Sequence, residues 1–318
     1  MSALEPAEIF ERISRRRFMT GAGALAAMPF LDLKALAQVG QPFQFTQGEF
    51  DITVLSDGTL TLPLEVLAPD ATPEQRDEIA AAMGWADKMA HPGTNIPLIR
   101  AGDDLILVDV GSGDKFQPET SGELAANLEA AGIDPASVTK VVFTHAHPDH
   151  VWATVMEGGE LRFANASYHV GGAEWDFWMN PDIFSQMPDA MHEFARGAQR
   201  DLAAVEDRVT MVKAGDAIVP GLSVVDTPGH TPGHISLEVA GGDGLIIAGD
   251  VTPNEIISLR NPDWKFGFDA DPDMAIATRK SLVDRAATDA TKVLGYHFTY
   301  PGVGMVEKDR AGYRFVAA

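Results

Sequence analysis

The 318-residue chain contains no cysteine. No disulfide supports its fold, and any metal it holds must be bound by histidine and carboxylate. Cations are scarce as well: 24 lysines and arginines stand against 46 acidic residues, a formal net charge of −22. A surface of that sign repels nucleic acid and anionic membrane alike, so neither is an expected partner. Past the N-terminal region no run is apolar enough to span a bilayer, and stable membrane insertion is not expected. There is no internal repeat and no low-complexity tract. A core can still be built: 45% of the residues are hydrophobic, enough for one large domain or two small ones.

What is present is informative from the start of the chain. Ser14-Arg15-Arg16-Arg17-Phe18-Met19 has the pattern of a twin-arginine export signal. An apolar stretch over 21–31 follows, too short for a permanent membrane helix. Ala35-Leu36-Ala37 then offers small residues for a cut before Gln38. Residues 1–37 are therefore expected to be a leader and residues 38–318 the working domain. The expected location is periplasmic or secreted. That route carries proteins already folded, which suits an enzyme loaded with metal before export.

Short β-rich runs alternate with helical stretches. Residues 50–55 and 60–64 flank Ser56-Asp57-Gly58 and read as a hairpin. Buried strands are expected at 105–108 and 141–144. Further strands are expected at 167–170, 209–212, 222–225, 235–239, 245–248 and 293–296. Helices are expected at 73–84, 122–131, 189–206 and 272–287. The mixture lacks a single βαβ rhythm and suggests a layered α/β fold.

The second of those buried strands runs straight into Thr144-His145-Ala146-His147-Pro148-Asp149-His150. Three imidazoles and a carboxylate fall within six residues. A loop leaving a strand end can turn them in different directions, so that His145 and His147 reach one ion and Asp149 and His150 a neighbour. Nitrogen and carboxylate donors suit zinc first, and also iron, cobalt or manganese. Two ions need more donors. His230 lies in Thr227-Pro228-Gly229-His230-Thr231-Pro232-Gly233-His234. Asp250 ends Ile246-Ile247-Ala248-Gly249-Asp250, and His297 ends Leu294-Gly295-Tyr296-His297. Each stands where a strand gives way to a loop, the place where open α/β sheets gather functional groups.

In this motif and in the order of the later donors, the chain resembles the metallo-β-lactamase superfamily over roughly residues 45–300. The resemblance implies a four-layer αβ/βα sandwich. It implies that His145, His147 and His230 bind one metal, that Asp149, His150 and His297 bind the other, and that Asp250 bridges them. Asp109, in Leu107-Val108-Asp109-Val110-Gly111, matches a buried acid that orients a ligand histidine. His234 matches a position that is not a ligand, and His91, His169 and His192 have no match as ligands.

Within the superfamily the chain is most similar to exported lactonases, aryl-esterases and methyl-parathion-hydrolase-like phosphotriesterases. The leader, the extra segment 60–100 and the ending Gly295-Tyr296-His297-Phe298 with Pro301-Gly302 carry that similarity. The implied chemistry uses two divalent ions about 3.5–4 Å apart, sharing a water and stripping its proton near neutral pH. The resulting hydroxide attacks a lactone, ester or phosphotriester, with Asp149 and Asp250 the carboxylates at the reacting centre. Many acyl-homoserine lactonases place a tyrosine soon after the bridging aspartate. Here Val251-Thr252-Pro253-Asn254 follows instead.

A small-molecule substrate is expected, and a homodimer is left open. The aromatic run with Trp175, Phe177, Trp178 and Phe184 is either a hydrophobic lid over the pocket or the core face of a helix. Phe266 and Phe268 belong to the same wall if there is one. Three competing readings remain: a β-lactamase, an iron-dependent dioxygenase of the same fold, and a binding module with a decayed site. Metal content separates them.

Overall fold

The computed structural model describes residues 41–318. The expected leader and its cut before Gln38 lie outside the described residues. Strands β1 (Phe43–Gln47), β2 (Phe50–Thr59), β3 (Leu62–Pro63), β4 (Met89–Ala90), β5 (Gly93–Ala101), β6 (Asp104–Val108), β7 (Lys140–Phe143), β8 (Ser167–Gly171) and β9 (Val209–Val212) form the first half. The second half holds β10 (Ala217–Val219), β11 (Leu222–Asp226), β12 (Ile235–Val239), β13 (Leu245–Gly249), β14 (Lys292–Gly295), β15 (Val303–Asp309) and β16 (Gly312–Ala317). The α-helices are α1 (Leu64–Leu67), α2 (Pro73–Met83), α3 (Leu124–Ala130), α4 (Pro148–Val151), α5 (Gly172–Trp178), α6 (Ile183–Gln186), α7 (His192–Ala203), α8 (Ile257–Arg260) and α9 (Pro272–Asp289).

Two seven-stranded sheets result, ordered β1-β2-β5-β6-β7-β8-β9 and β10-β11-β12-β13-β14-β15-β16. Strands β6 to β9 run parallel to one another, and β13 runs parallel to β14. Side chains of a strand alternate between its two faces, and that alternation builds the layers. Ile106 and Val108 of β6 join Leu245 and Ile247 of β13 in the core between the sheets. Leu105 and Leu107 face the other way and pack with Leu128 of α3 and Ala198 of α7. Ile246 and Ala248 likewise face outward onto Leu282, Val283 and Ala286 of α9. Helix, sheet, sheet and helix follow one another, which is the expected four-layer α/β sandwich.

The longer helices start where their sequences say. Thr72 and Gln75 make a reciprocal capping box for α2, and Gly84 ends it in the left-handed region at φ 73°. Asp271 caps the Met274 amide of α9, with Pro272 at the first helical position.

One expectation needs correction. The hairpin across 56–58 is absent: β2 runs on to Thr59 and pairs with β1 and β5, while residues 60–64 form only β3 and the start of α1. Ser-Asp-Gly has turn chemistry, but here Asp57 is wholly buried. It accepts the amide protons of Ser112 (2.8 Å), Gly122 (3.3 Å) and Leu124 (2.7 Å). Gly58, at φ 96°, sits at the register shift, so the motif marks a bulge in a continuous strand. Burial pushes the Asp57 carboxyl up to about 7, against three N–H groups that favour the anion.

Candidate metal centre

Five strand ends meet at one rim of the sandwich. β7 delivers Thr144 and His145; β6 delivers Asp109; β13 delivers Asp250; β14 delivers Tyr296 and His297; and the β11–β12 loop carries His230. After β7 the chain turns at His147, which immediately precedes the single turn of α4, and Pro148 opens that turn. Asp149 and His150 then project to the same rim. Gly249, just before Asp250, makes room for His234: at φ 55°, a Cβ there would lie 2.6 Å from His234 Nε2.

The seven side chains singled out in the sequence lie together and are buried. Their donor atoms form three overlapping groups: His145, His147 and His230; His145, His150 and Asp250; and Asp149, His150 and His297. His147 Nδ1 lies 3.0 Å from His145 Nε2 and 2.9 Å from His230 Nε2. Asp250 Oδ2 lies 3.2 Å from His297 Nε2 and 3.4 Å from His230 Nε2, and its Oδ1 lies 3.3 Å from His150 Nε2. Asp149 Oδ2 lies 3.3 Å from both His150 Nε2 and His297 Nε2.

The other ring nitrogens are held from behind. His150 Nδ1–H donates to Asp109 Oδ2 at 2.8 Å, and His297 Nδ1–H donates to the Gly93 carbonyl at 2.8 Å. Thr144 gives its amide and hydroxyl protons to Asp109, so its hydroxyl oxygen is left to accept from His145 Nδ1 at 3.1 Å. These bonds leave Nε2 of His145, His150 and His297 facing the centre, while His147 turns its Nδ1 toward His145 and His230. Asp109 is itself held at φ 63°, a left-handed conformation that aspartate tolerates better than most residues.

The donor set fits cations. Asp149 Oδ2, His150 Nε2 and Asp250 Oδ1 are buried without a hydrogen-bond partner, a costly state for groups that an ion would satisfy. Burial works against the charged form of Asp149 and Asp250. His150 and His297 outweigh it and hold both carboxyls low. Burial likewise opposes charge on His297, but Asp250 and Asp149 outweigh it and push the imidazole up to about 10. Burial, with crowding by other imidazoles, keeps His145 and His147 well below the usual histidine range. Positive charge is thus favoured beside the carboxylates, and neutral, lone-pair-bearing rings are favoured opposite. Together the His and Asp groups suit two divalent metals.

His234 has another task. Its Nε2 accepts the Asp250 amide proton at 3.0 Å, and its Nδ1 pairs with Thr227 Oγ1 at 2.8 Å. Burial holds it down at about 3, so it stays neutral.

Two buried acids escaped sequence reading. Glu174 Oε1 accepts from the Ala146 amide (2.9 Å) and from Trp178 Nε1 (2.6 Å). Its Oε2 accepts from Thr231 Oγ1 (2.6 Å) and the Gly233 amide (3.1 Å). One carboxylate thereby clasps the loop of His145 and His147 to the loop of His230. Asp269 accepts from His230 Nδ1 at 3.0 Å. Glu174 adjoins the aromatic run and Asp269 follows Phe268, but neither belongs to the metal motif and nothing else marks either among 46 acidic residues.

The centre opens into a cleft lined by Leu60, Leu62, Leu67, Pro92, Phe116, Phe194, Phe266 and Phe268, with His147, Asp149, His230, Asp250 and His297 at its floor. The aromatic run of α5 and α6 is elsewhere. Trp178 is 1% exposed and packs in the core behind His147, with ring centroids 5.8 Å apart. Trp175, Phe177 and Phe184 pack partly buried against the same core. None of the four lines the cleft, so the lid reading gives way to core packing, because the Trp178 indole turns inward to reach Glu174. Phe266 and Phe268 do line it.

Residues 92–297 match the model of the metallo-beta-lactamase superfamily. N-acyl homoserine lactonase AttM of Agrobacterium fabrum is 34% identical over 121 residues, 35% of this chain and 40% of that protein. Metallo-beta-lactamase domain-containing protein 1 of Xenopus laevis is 32% identical over 152 residues, 47% of this chain and 51% of that protein. The chain thus spans about two-fifths to one-half of the curated relatives it matches. Among solved structures, AidC, described as a dizinc quorum-quenching lactonase in complex with a product N-hexnoyl-L-homoserine, is 27% identical with a TM-score of 0.81, covering 87% of this chain and 97% of its own. The hydrolase AbOPH is 27% identical with a TM-score of 0.80, covering 88% and 98%. Sandwich, rim and family match agree, and the chain belongs to the metallo-β-lactamase superfamily.

Proposed function

We propose that the chain is an exported two-metal hydrolase of lactones and esters with apolar acyl or aryl groups, and that it also accepts phosphotriesters. The observation that carries this reading is a seven-donor centre at the floor of a cleft whose other described walls are aliphatic and aromatic. His145, His147 and His230 would hold one ion, and Asp149, His150 and His297 the other, with Asp250 reaching both. Zinc is the proposed metal, since the similar AidC is described as dizinc and the donors suit it. Ions bound there would polarise the electrophile's oxygen and supply a nucleophile from water at neutral pH.

The chain's own residues do the rest. Asp149 faces the cleft and can orient the attacking water or take its proton. The Tyr296 hydroxyl donates to the Asp149 carbonyl at 2.6 Å, so it holds that residue rather than the substrate. Phe116, Phe194, Phe266 and Phe268 would seat the apolar group and keep bulk water from the reacting carbonyl. The substrate is a small molecule, and the acidic surface argues against nucleic acid as a partner. No helix among the described residues is long and apolar enough to cross a membrane.

A panel of lactones, aryl esters, a phosphotriester and a β-lactam, run with elemental analysis, tests the reading. About two divalent ions per chain are expected, with turnover of a lactone or aryl ester and none of the β-lactam. A single iron with oxygen consumption, or no metal after supply of zinc, overturns it. The export proposal rests on Arg15 and Arg16. Lysine lacks the planar guanidinium fork, so Arg15→Lys with Arg16→Lys is expected to leave the protein in the cytoplasm. Equal periplasmic signal from that variant would refute the route.

A further inference from the structure

Residues 264–271 form a strap across His230. Asp269, whose side chain is wholly buried, accepts the His230 Nδ1 proton on Oδ1 at 3.0 Å. Its Oδ2 takes Arg279 Nη2 and the Phe266 amide, each at 3.3 Å. The Ala270 amide donates to the His230 carbonyl at 3.0 Å, and the Asp271 amide to the Gly229 carbonyl at 2.9 Å. Phe266 lies nearly parallel to the His230 ring, 15° off with centroids 5.5 Å apart. Arg279, 1% exposed, also donates to the carbonyls of Val251 (2.9 Å) and Trp264 (2.6 Å), which ties the strap to the residue after Asp250. The same strap contributes Phe266 and Phe268 to the cleft.

We infer that Asp269 is a positioning residue that aims His230 at one metal and, through the strap, sets the aromatic wall that selects the substrate. The inference rests on the proposed reading of His230 as a metal ligand. A carboxylate on the far nitrogen of a ligand imidazole fixes its tautomer and raises its basicity. Here that carboxylate also takes the amide of a wall residue. Ion affinity at His145, His147 and His230 and the shape of the wall are therefore set by one side chain.

The test is zinc binding by D269N, read by competition with a chromophoric chelator, beside circular dichroism and thermal melting. One of the two ions is expected to bind roughly 10- to 100-fold more weakly, with the other unchanged. The ratio of kcat/KM between long- and short-chain aryl esters is expected to move as well. Unchanged affinity for both ions, or equal weakening of both, overturns the inference. Should D269N fail to fold, D269N with R279Q leaves no lone charge in the interior and decides by the same outcomes. Zinc binding is read without substrate, so a protein that hydrolyses nothing on the panel still decides the role of Asp269. Unmodified protein that binds no zinc overturns the two-metal reading itself.

Discussion

Asp250→Asn is expected to lower kcat by at least ~10², or about 2.7 kcal/mol, the scale of removing a positioned catalytic group. Asp250 is the side chain whose oxygens reach histidines of both outer donor groups: His230 at 3.4 Å on one side, His297 at 3.2 Å and His150 at 3.3 Å on the other. Two dications held a few ångströms apart repel strongly in a partly dry pocket, and a carboxylate between them offsets that repulsion. The amide keeps the shape and removes the charge. The fold should survive, since the Asp250 amide bond to His234 does not depend on the side chain. Weaker ion binding is expected at one or both sites. His234→Ala is the matched comparison. It leaves the buried Asp250 amide without an acceptor, which should cost about 1–3 kcal/mol of stability and far less of kcat. Full activity and full metal content in Asp250→Asn would remove Asp250 from the bridging role. Greater loss of kcat in His234→Ala would mean that the wrong histidine of the Pro-Gly-His repeat has been assigned to the metal.

Asp57→Ala is expected to destabilise the protein by about 3–5 kcal/mol, because it strips the acceptor from two buried amides at once. The amides of Ser112 and Leu124 end on this carboxylate, while that of Gly122, 3.3 Å from it, keeps the Asp57 carbonyl at 2.9 Å. The loop they bracket carries Phe116, part of the cleft wall. Urea denaturation gives the number directly. A loss below about 1 kcal/mol would mean that water or other groups replace the carboxylate at little cost.

The metal centre was the most legible part of this chain. Four donors within six residues after a buried strand seldom occur together without an ion to hold, and of the later donors Asp250 and His297 each end an apolar run. The layered fold was legible for a related reason: near-continuous apolar strands such as Leu105–Val108 mark sheets covered on both faces. What could not be read depends on tertiary direction. Ser56-Asp57-Gly58 looks the same whether its aspartate turns to solvent in a hairpin or inward at a bulge. Trp178 looks the same over a pocket or beneath it, and the choice is made by Glu174, one turn away on α5 but committed to two distant loops. Asp269 is an ordinary acid in a strap whose partners, His230 and Arg279, are known only once the chain has folded. β5, over Gly93–Ala101, went unrecognised because Pro97 and Arg100 break its apolar run.

The placement of the donors across the two sheets bears on how the molecule is held together. His145, His147, Asp149 and His150 come from the first sheet's half, and His230, Asp250 and His297 from the second. Every one of the three donor groups draws on both halves. An ion bound by any of them is therefore a cross-link between the halves, playing for this cysteine-free chain the part a disulfide plays elsewhere. It differs from a disulfide in being reversible, since its hold scales with free metal concentration. Metal scarcity would loosen the seam and silence the chemistry in one event, so the protein's lifetime and its activity would answer to the same environmental variable.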